Sequence, residues 1–330
     1  MKAVVYSEYG GPDVLRVADI ATPTPAAKEV LVQVRAAGLN PVDWHFYRGM
    51  PLAARLMTGF GRPRRQRGVG GDFAGTIAAL GRDVHGFAVG QSVFGYASNS
   101  LAQYMTVATG KTSAMNPQAV AAKPERVTFE QAASVGLAGI TGLQMLRDSA
   151  RVKAGQRVLI IGAGGGIGSL AVQIAKSFGA HVTGVQSAAA CDLVRSLGAD
   201  RVIDYAKEDF TQDIARYDAI IDNVTNRELN DVLRTLKPDG TLVPNSGGTV
   251  ESGFDVRRLI ATLAKRPFLK QKIAMPATKL NHADMQLLAN MMAAGTLKPV
   301  LERCYPLTAV AEAFRHLETG HAHGKIVVTI

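Results

Sequence analysis

Cysteine is nearly absent: Cys191 and Cys304 are the only two in 330 residues. Two thiols cannot build a four-thiolate zinc lobe and give no disulfide framework, so both read as small buried or partly buried side chains. Long apolar runs are missing too, so no segment is expected to span a bilayer. The start, Met1-Lys2-Ala3-Val4-Val5-Tyr6, reads as a strand with neither a signal-peptide core nor an Arg/Ser-rich presequence, which makes a cytoplasmic protein the expectation. Acidic residues are outnumbered, 27 against 37 Lys and Arg, and the resulting net charge of +10 favours anions in general. The densest basic run, Arg62, Arg64, Arg65 and Arg67, contains Pro63 and is flanked by Gly61 and Gly68, so it is expected to be a solvated loop. No aromatic residue is interleaved with it to stack on bases, and nucleic acid is not an expected partner.

Glycine, in contrast, is plentiful, with 34 residues gathered at turns and in one loop. Residues 1 to about 125 alternate apolar and polar positions between frequent turns, as in Val30–Arg35, Asp72–Gly81, Gly90–Tyr96 and Gln103–Val107. Short strands of this kind suggest a partly open barrel. The texture changes near Pro124. Thr128 and Gln131 form a capping box ahead of an Ala-rich helix, and a second helix is expected from about Gly139 to Ala150. Strands then alternate with helices: Arg157–Ile161, a helix over Ile167–Gly179, His181–Val185, a helix through Cys191, then Arg201–Ile203, Ala219–Ile221 and Thr241–Val243. That repetition predicts a parallel, doubly wound sheet. Beyond Met275 a helix (Asp284–Ala294), a strand near Val300, a helix (Leu307–Leu317) and a last strand (Lys325–Ile330) are expected. Residues 109–122 carry no motif.

The strongest local signal is Val158-Leu-Ile-Ile-Gly-Ala-Gly-Gly-Gly-Ile-Gly168, a fingerprint Ala163-x-Gly165-x-x-Gly168 with extra glycines at 162, 164 and 166. Such a loop lets the chain turn sharply off a strand and brings backbone amides against a pyrophosphate. The helix starting near Ile167 would add the positive end of its dipole. Because the string lies between a predicted strand and a predicted helix, a dinucleotide site over Gly162–Gly168 is expected. The end of the second strand selects the cofactor, since an acid there accepts from the ribose 2′-OH of NAD. Here Val185-Gln-Ser-Ala-Ala-Ala-Cys191 has no acid before Asp192, so NADP is expected, with Ser187 and Arg195 as candidate contacts to its 2′-phosphate.

These features resemble the zinc-free quinone oxidoreductase branch of the medium-chain dehydrogenase/reductase superfamily, over nearly the whole chain. The resemblance is carried by Ala36-Ala-Gly-Leu-Asn-Pro-Val-Asp43, Gly71–Gly81, Val89–Gly95, Gly139-Ile-Thr-Gly-Leu143, the glycine loop, Leu197–Tyr205, Gly295–Val300 and Gly324–Val328. It implies an α/β protein. A GroES-like, β-rich catalytic domain over 1–125 would be completed by 276–330, with a Rossmann domain over 126–275 and the active site in the cleft between them. A homodimer is implied as well. Zinc-dependent relatives place cysteine where this chain has Asn40 and a His-Glu pair where it has Gly71-Asp72, so no metal site is expected. His316, His321 and His323 fall where the family has a loop before the last strand, without a metal role.

The implied reaction is hydride transfer from NADPH to a quinone or another α,β-unsaturated carbonyl, with a hydrogen-bond donor for the charge that develops on the substrate oxygen. Asn40 is the first candidate for that contact, although it also reads as a turn residue before Pro41. His45 replaces a tyrosine common in the family. It follows Trp44 and could donate a hydrogen bond or a proton, or be an ordinary partly buried histidine. Asp43 is expected to orient local backbone. Thr141 matches a threonine beside the nicotinamide, although a helical threonine also bonds its own backbone. Asn223, Val224, Gly247 and Gly248 match the lining of the nicotinamide ribose, and Tyr205 a residue near the adenosine phosphate. A lysine often found near position 191 is replaced by Cys191. Two alternatives stay open: a reductase of enoyl thioesters or other activated double bonds, and a non-catalytic NADPH-binding protein.

Overall fold

The computed structural model describes residues 1–50, 55, 59–63, 67–110, 116–212, 217–245 and 269–330. Gly247 and Gly248, and Arg64 and Arg65 of the basic run, lie outside these residues. The chain divides into two compact units. One comprises Met1–Ile140, Lys279–Gly295 and Pro299–Ile330; the other comprises Thr141–Thr278 and Thr296–Lys298.

In chain order the first unit supplies β1 (Lys2–Tyr6), β2 (Arg16–Asp19), β3 (Glu29–Gly38), α1 (Pro41–Arg48), β4 (Arg67–Gly68), β5 (Asp72–Leu80), β6 (Ser92–Tyr96), β7 (Tyr104–Ala108), β8 (Ala119–Ala122) and α2 (Phe129–Ala133). Helix α3 (Gly136–Gln144) follows, continued by a π turn over Met145–Ser149. The second unit holds β9 (Arg157–Ile161), α4 (Gly168–Ser177), β10 (His181–Gln186), α5 (Cys191–Ser196), β11 (Arg201–Asp204), β12 (Tyr217–Asp222), α6 (Leu229–Thr235), β13 (Leu236–Pro244) and β14 (Lys272–Ile273). The tail adds α7 (His282–Ala293), β15 (Leu301–Pro306), α8 (Val310–Glu318) and β16 (Lys325–Thr329).

Among the described residues, the first unit has a small sheet β2-β1-β4 and a larger one running β15-β16-β3-β5-β6-β8, with β7 also pairing β3. The long strand β3 shows why: Val30, Val32 and Val34 alternate inward and are buried with Phe73, Ile77, Val93, Met105 and Val107. β-branched side chains at period two suit one buried face of a pleated sheet. A Cβ on Gly75 would lie 2.1 Å from the Gln33 carbonyl oxygen, so the close approach of β5 to β3 requires glycine there. The tail joins this sheet, Val327 opposite Gly38 and Thr329 opposite Ala36.

The sheet of the second unit is wholly parallel, in the order β11-β10-β9-β12-β13-β14. Counted along the chain this is 3-2-1-4-5-6, the Rossmann order, and it reverses at β9, where such sheets bind their ligands. Val158, Leu159, Ile160 and Ile161 of β9 are all buried, as in a strand covered on both faces. Truncating Leu159, which is 0% exposed, to alanine would cost about 2–5 kcal/mol.

Three local expectations need correction. The chain after Asn40 is not a turn but helix α1. Asn40 is its N-cap, and Pro41 stands at the first helical position, where the missing N–H costs nothing. The basic loop ends in a strand, with Gly68 opposite Val5 and Arg67 opposite Tyr6. Cys191 is buried, but Cys304 is exposed on the edge strand β15. No helix among the described residues is long and apolar enough to cross a membrane.

Candidate functional site

The glycine loop of the second unit runs from the end of β9 into α4. Gly162 has φ +75°, a left-handed conformation suited to a residue without Cβ. A Cβ on Gly168 would lie 2.0 Å from the Gly162 carbonyl oxygen, so only glycine lets α4 begin this close to the turn. The amides of Gly162 and Ala163 donate to the Val185 carbonyl, and that of Gly165 donates to Gly162. The amides of Gly166 and Ile167 donate to no protein acceptor among the described residues. Two free N–H groups ahead of a ten-residue helix form an anion cradle, and the residues present fit a dinucleotide pyrophosphate.

Gln186, the last residue of β10, was not singled out in the sequence. Its Oε1 accepts from the Gly164 amide at 3.1 Å. Its oxygen is thereby committed, and its NH2 group remains as a donor at the place where NAD sites carry an acid. Ser187 follows as the cap of a short turn and is half-buried; its carbonyl accepts from the Cys191 thiol at 3.4 Å. Arg195 is tied to exposed Asp192 at 2.6 Å. Tyr205 is 47% exposed, and its amide donates to the Gln186 carbonyl.

At the far ends of β12 and β13 a turn is fixed by buried Asp222, whose Oδ1 accepts from Val224 N (3.1 Å) and Thr225 N (2.8 Å). Asn223 Nδ2 donates to the Ile161 carbonyl at 3.1 Å, and its Oδ1 accepts from Asn245 Nδ2 at 3.1 Å. Val224 lies over the glycine loop: a Cβ on Gly162 would sit 2.9 Å from its Cγ2. The two asparagines thus brace adjacent strand ends, and Asn245 is a second residue missed in the sequence. Thr141, in α3, is 6% exposed, and its hydroxyl lies 3.2 Å from that of Thr278.

The first unit holds a buried polar cluster. Lys325 Nζ donates to Asn40 Oδ1 (2.6 Å) and the Leu39 carbonyl (2.8 Å), and pairs with Asp72 Oδ2 at 3.3 Å. Asn40 Nδ2 donates to the same Asp72 oxygen at 2.8 Å. The other Asp72 oxygen accepts from Leu137 N at 2.6 Å, in the first turn of α3. Asp43 Oδ2 accepts from Asn40 N at 2.8 Å, in keeping with the expected backbone-orienting role. Burial, reinforced by the Asp72 charge, pushes the Asp43 carboxyl up to about 7, against the opposing Asn40 amide. Asp72 and Lys325 are also residues the sequence did not flag, although both sit inside the motifs Gly71–Gly81 and Gly324–Val328.

His45 makes no hydrogen bond to this cluster among the described residues. Its Nδ1 lies 2.8 Å from the Met50 carbonyl, and its ring packs on Trp44 with centroids 3.9 Å apart. Burial holds the imidazole below the usual histidine value. The neutral ring donates from Nδ1 to Met50, which leaves Nε2 as an acceptor rather than a proton donor.

The donor set does not fit a tetrahedral zinc. Asn40 is held between Lys325 and Asp72. A Cβ on Gly71 would fall 2.1 Å from Cε2 of Tyr96, so the ring fills the space a histidine would need. No group of three or more His, Cys, Asp or Glu poised to hold a metal occurs among the described residues. His316 instead meets Tyr305 (3.1 Å) and Glu302 (3.4 Å), and His321 is exposed.

Residues 26–142 match the family model described as the alcohol dehydrogenase GroES-like domain, and residues 197–328 match the one described as zinc-binding dehydrogenase. A quinone oxidoreductase of Pongo abelii is 33% identical over 351 residues, covering 100% of this chain and 98% of the relative. An Arabidopsis thaliana protein named NADPH-dependent alkenal/one oxidoreductase, chloroplastic, is 33% identical over 347 residues, covering 99% of this chain and 79% of the relative. Among solved structures, the quinone oxidoreductase from Coxiella burnetii superposes with a TM-score of 0.85 at 30% identity, covering 100% of this chain and 99% of that one.

Proposed function

Because the chain belongs to the quinone oxidoreductase branch of the medium-chain dehydrogenase/reductase superfamily, we propose that it transfers hydride from NADPH to a quinone or another α,β-unsaturated carbonyl without a catalytic metal. The observation that carries this reading is the glycine loop, where close packing excludes every Cβ at Gly168 and two amides remain free for a pyrophosphate. When bound, the reduced nicotinamide supplies the hydride.

The chain's own residues bind, orient and stabilise. Gly162, Ala163, Gly164, Gly165, Gly166, Ile167 and Gly168 cradle the phosphates. Preference for NADP over NAD is supported at the end of β10: no carboxylate stands there to repel a 2′-phosphate, and Gln186 offers an NH2 donor beside Ser187 and Tyr205. Asn223 and Val224 would line the nicotinamide ribose, and the Thr141 hydroxyl would orient the ring's carboxamide. Asn40, held by Lys325 and Asp72, serves as a rigid polar wall for the substrate. The named acceptors of the relatives, quinones and alkenals or alkenones, differ in size but share a conjugated carbonyl that takes up hydride and leaves charge on oxygen.

The test is NADPH oxidation followed by absorbance, with a small benzoquinone and with an enone, in the presence of a chelator. Turnover that survives the chelator is the expected result. NADPH binding with no acceptor driving its oxidation would make the chain a binding protein and end this reading.

A further inference from the structure

Reduction of a conjugated carbonyl places negative charge on oxygen, and a donor aimed at that oxygen lowers the barrier. The first unit holds three polar groups that sequence or structure brings forward for this task. Two are already committed. Asn40 is 3% exposed and clasped by Lys325 and Asp72. His45 gives its Nδ1 proton to Met50. The third is Tyr96, the last residue of β6, which stands opposite Asp72 in the sheet register. Its ring lies against the bare Cα of Gly71, with Cζ 2.5 Å from where a Cβ would be. It is half-buried, and its hydroxyl meets no partner among the described residues. Burial and the nearby Asp43 and Asp72 carboxylates keep the proton on this phenol, so it is a donor over the whole working pH range.

We propose that the Tyr96 hydroxyl is the hydrogen-bond donor to the reacting carbonyl oxygen of the substrate, standing in the space where a metal-dependent relative would hold its metal ligand. The proposal rests on the hydride-transfer reading. Hydride adds to the β-carbon of an enone, and the C=C electron pair moves into the carbonyl system to give an enolate. Tyr96 donates a hydrogen bond to the enolate oxygen and keeps its proton. Water then protonates the α-carbon. The balance is enone, NADPH and one proton giving the saturated ketone and NADP. Tyr96 is thereby a catalytic residue that the sequence motifs do not reveal, since glycine at 71 is legible but the ring covering it is not.

The experiment compares wild type with Tyr96→Phe, which keeps the ring over Gly71 and so preserves the fold. For the loss of one oxyanion donor, kcat with an enone should fall about 100-fold, with KM changed less than about threefold and NADPH affinity by fluorescence within about twofold. A ring-fluorinated tyrosine at position 96, a stronger donor of the same shape, should raise kcat, which a purely packing role would not do. Unchanged kcat in Tyr96→Phe beside an active wild type overturns the proposal alone. A wild type that oxidises NADPH with no quinone or enone overturns the hydride-transfer reading, and Tyr96's role with it.

Discussion

Replacing Lys325 with methionine tests what holds the first unit's polar cluster together. The ammonium is 5% exposed and serves three acceptors: Asn40 Oδ1 at 2.6 Å, the Leu39 carbonyl at 2.8 Å and Asp72 Oδ2 at 3.3 Å. Methionine keeps nearly the same length and volume, so the packing loss is small and the electrostatic loss dominates. Asp72, 0% exposed, would be left with only neutral donors, Asn40 Nδ2 and Leu137 N. Removing one partner of a buried ion pair costs about 3–5 kcal/mol, because the other charge stays buried without compensation. An exposed pair such as Lys2–Asp19 would contribute far less, because water screens both charges. The assay is urea denaturation of Lys325→Met, Asp72→Asn and the double variant, read as a double-mutant cycle. The double variant should be more stable than the sum of the single losses implies, by about 2 kcal/mol. A Lys325→Met loss below about 1 kcal/mol, with no coupling to Asp72, would refute the view that this ion pair braces Asn40 and α1.

Asp43 gives a pH prediction. Its carboxyl is pushed up to about 7 by burial, whereas in the unfolded chain it titrates near 3.8. The folded state therefore holds a proton that the unfolded state has released, and the stability from this group is full below about pH 4 and lost as pH rises through about 7. Wild type should lose on the order of 2–3 kcal/mol between pH 5 and 8 from this source, and Asp43→Asn should lose that slope; parallel pH profiles would count against it. Gln186→Glu keeps an oxygen for the Gly164 amide but turns a charge towards the ribose. NADPH affinity should drop about tenfold or more while NADH affinity stays within about threefold, and equal effects on both nucleotides would exclude Gln186 from cofactor selection.

The sequence was most legible where one physical constraint acts along a short stretch. The glycine loop is one case, since backbone approach to phosphate and helix packing both demand missing Cβ atoms within seven residues. The capping box is another: Thr128 Oγ1 accepts from Gln131 N (3.2 Å), and Gln131 Oε1 from Thr128 N (3.0 Å). The parallel sheet was legible because strands buried on both faces read as continuous apolar runs. What escaped were partnerships across long sequence separations. Asn40, Asp72 and Lys325 lie on three different elements, and no periodicity links them. Helix α1 was missed because its eight residues, Pro-Val-Asp-Trp-His-Phe-Tyr-Arg, are rich in β-branched, aromatic and short polar types with modest helix propensity. Its stability comes instead from anchoring: Tyr47 and Arg48 both bond Glu318 of α8, at 2.6–2.7 Å. Gln186 was passed over because an amide at a strand end has no fixed meaning until its partner, here the Gly164 amide, is known.

Isotope transfer tests the central claim most directly. NADPH carrying deuterium on one face of the nicotinamide C4 is incubated with an enone and chelator-treated protein, and the product is examined by mass spectrometry and NMR. Direct, metal-independent hydride transfer predicts deuterium at the β-carbon of the saturated ketone from one face only. Deuterium retained in the nucleotide whichever face carries it, deuterium lost to water, or transfer that appears only when zinc is added would contradict the account.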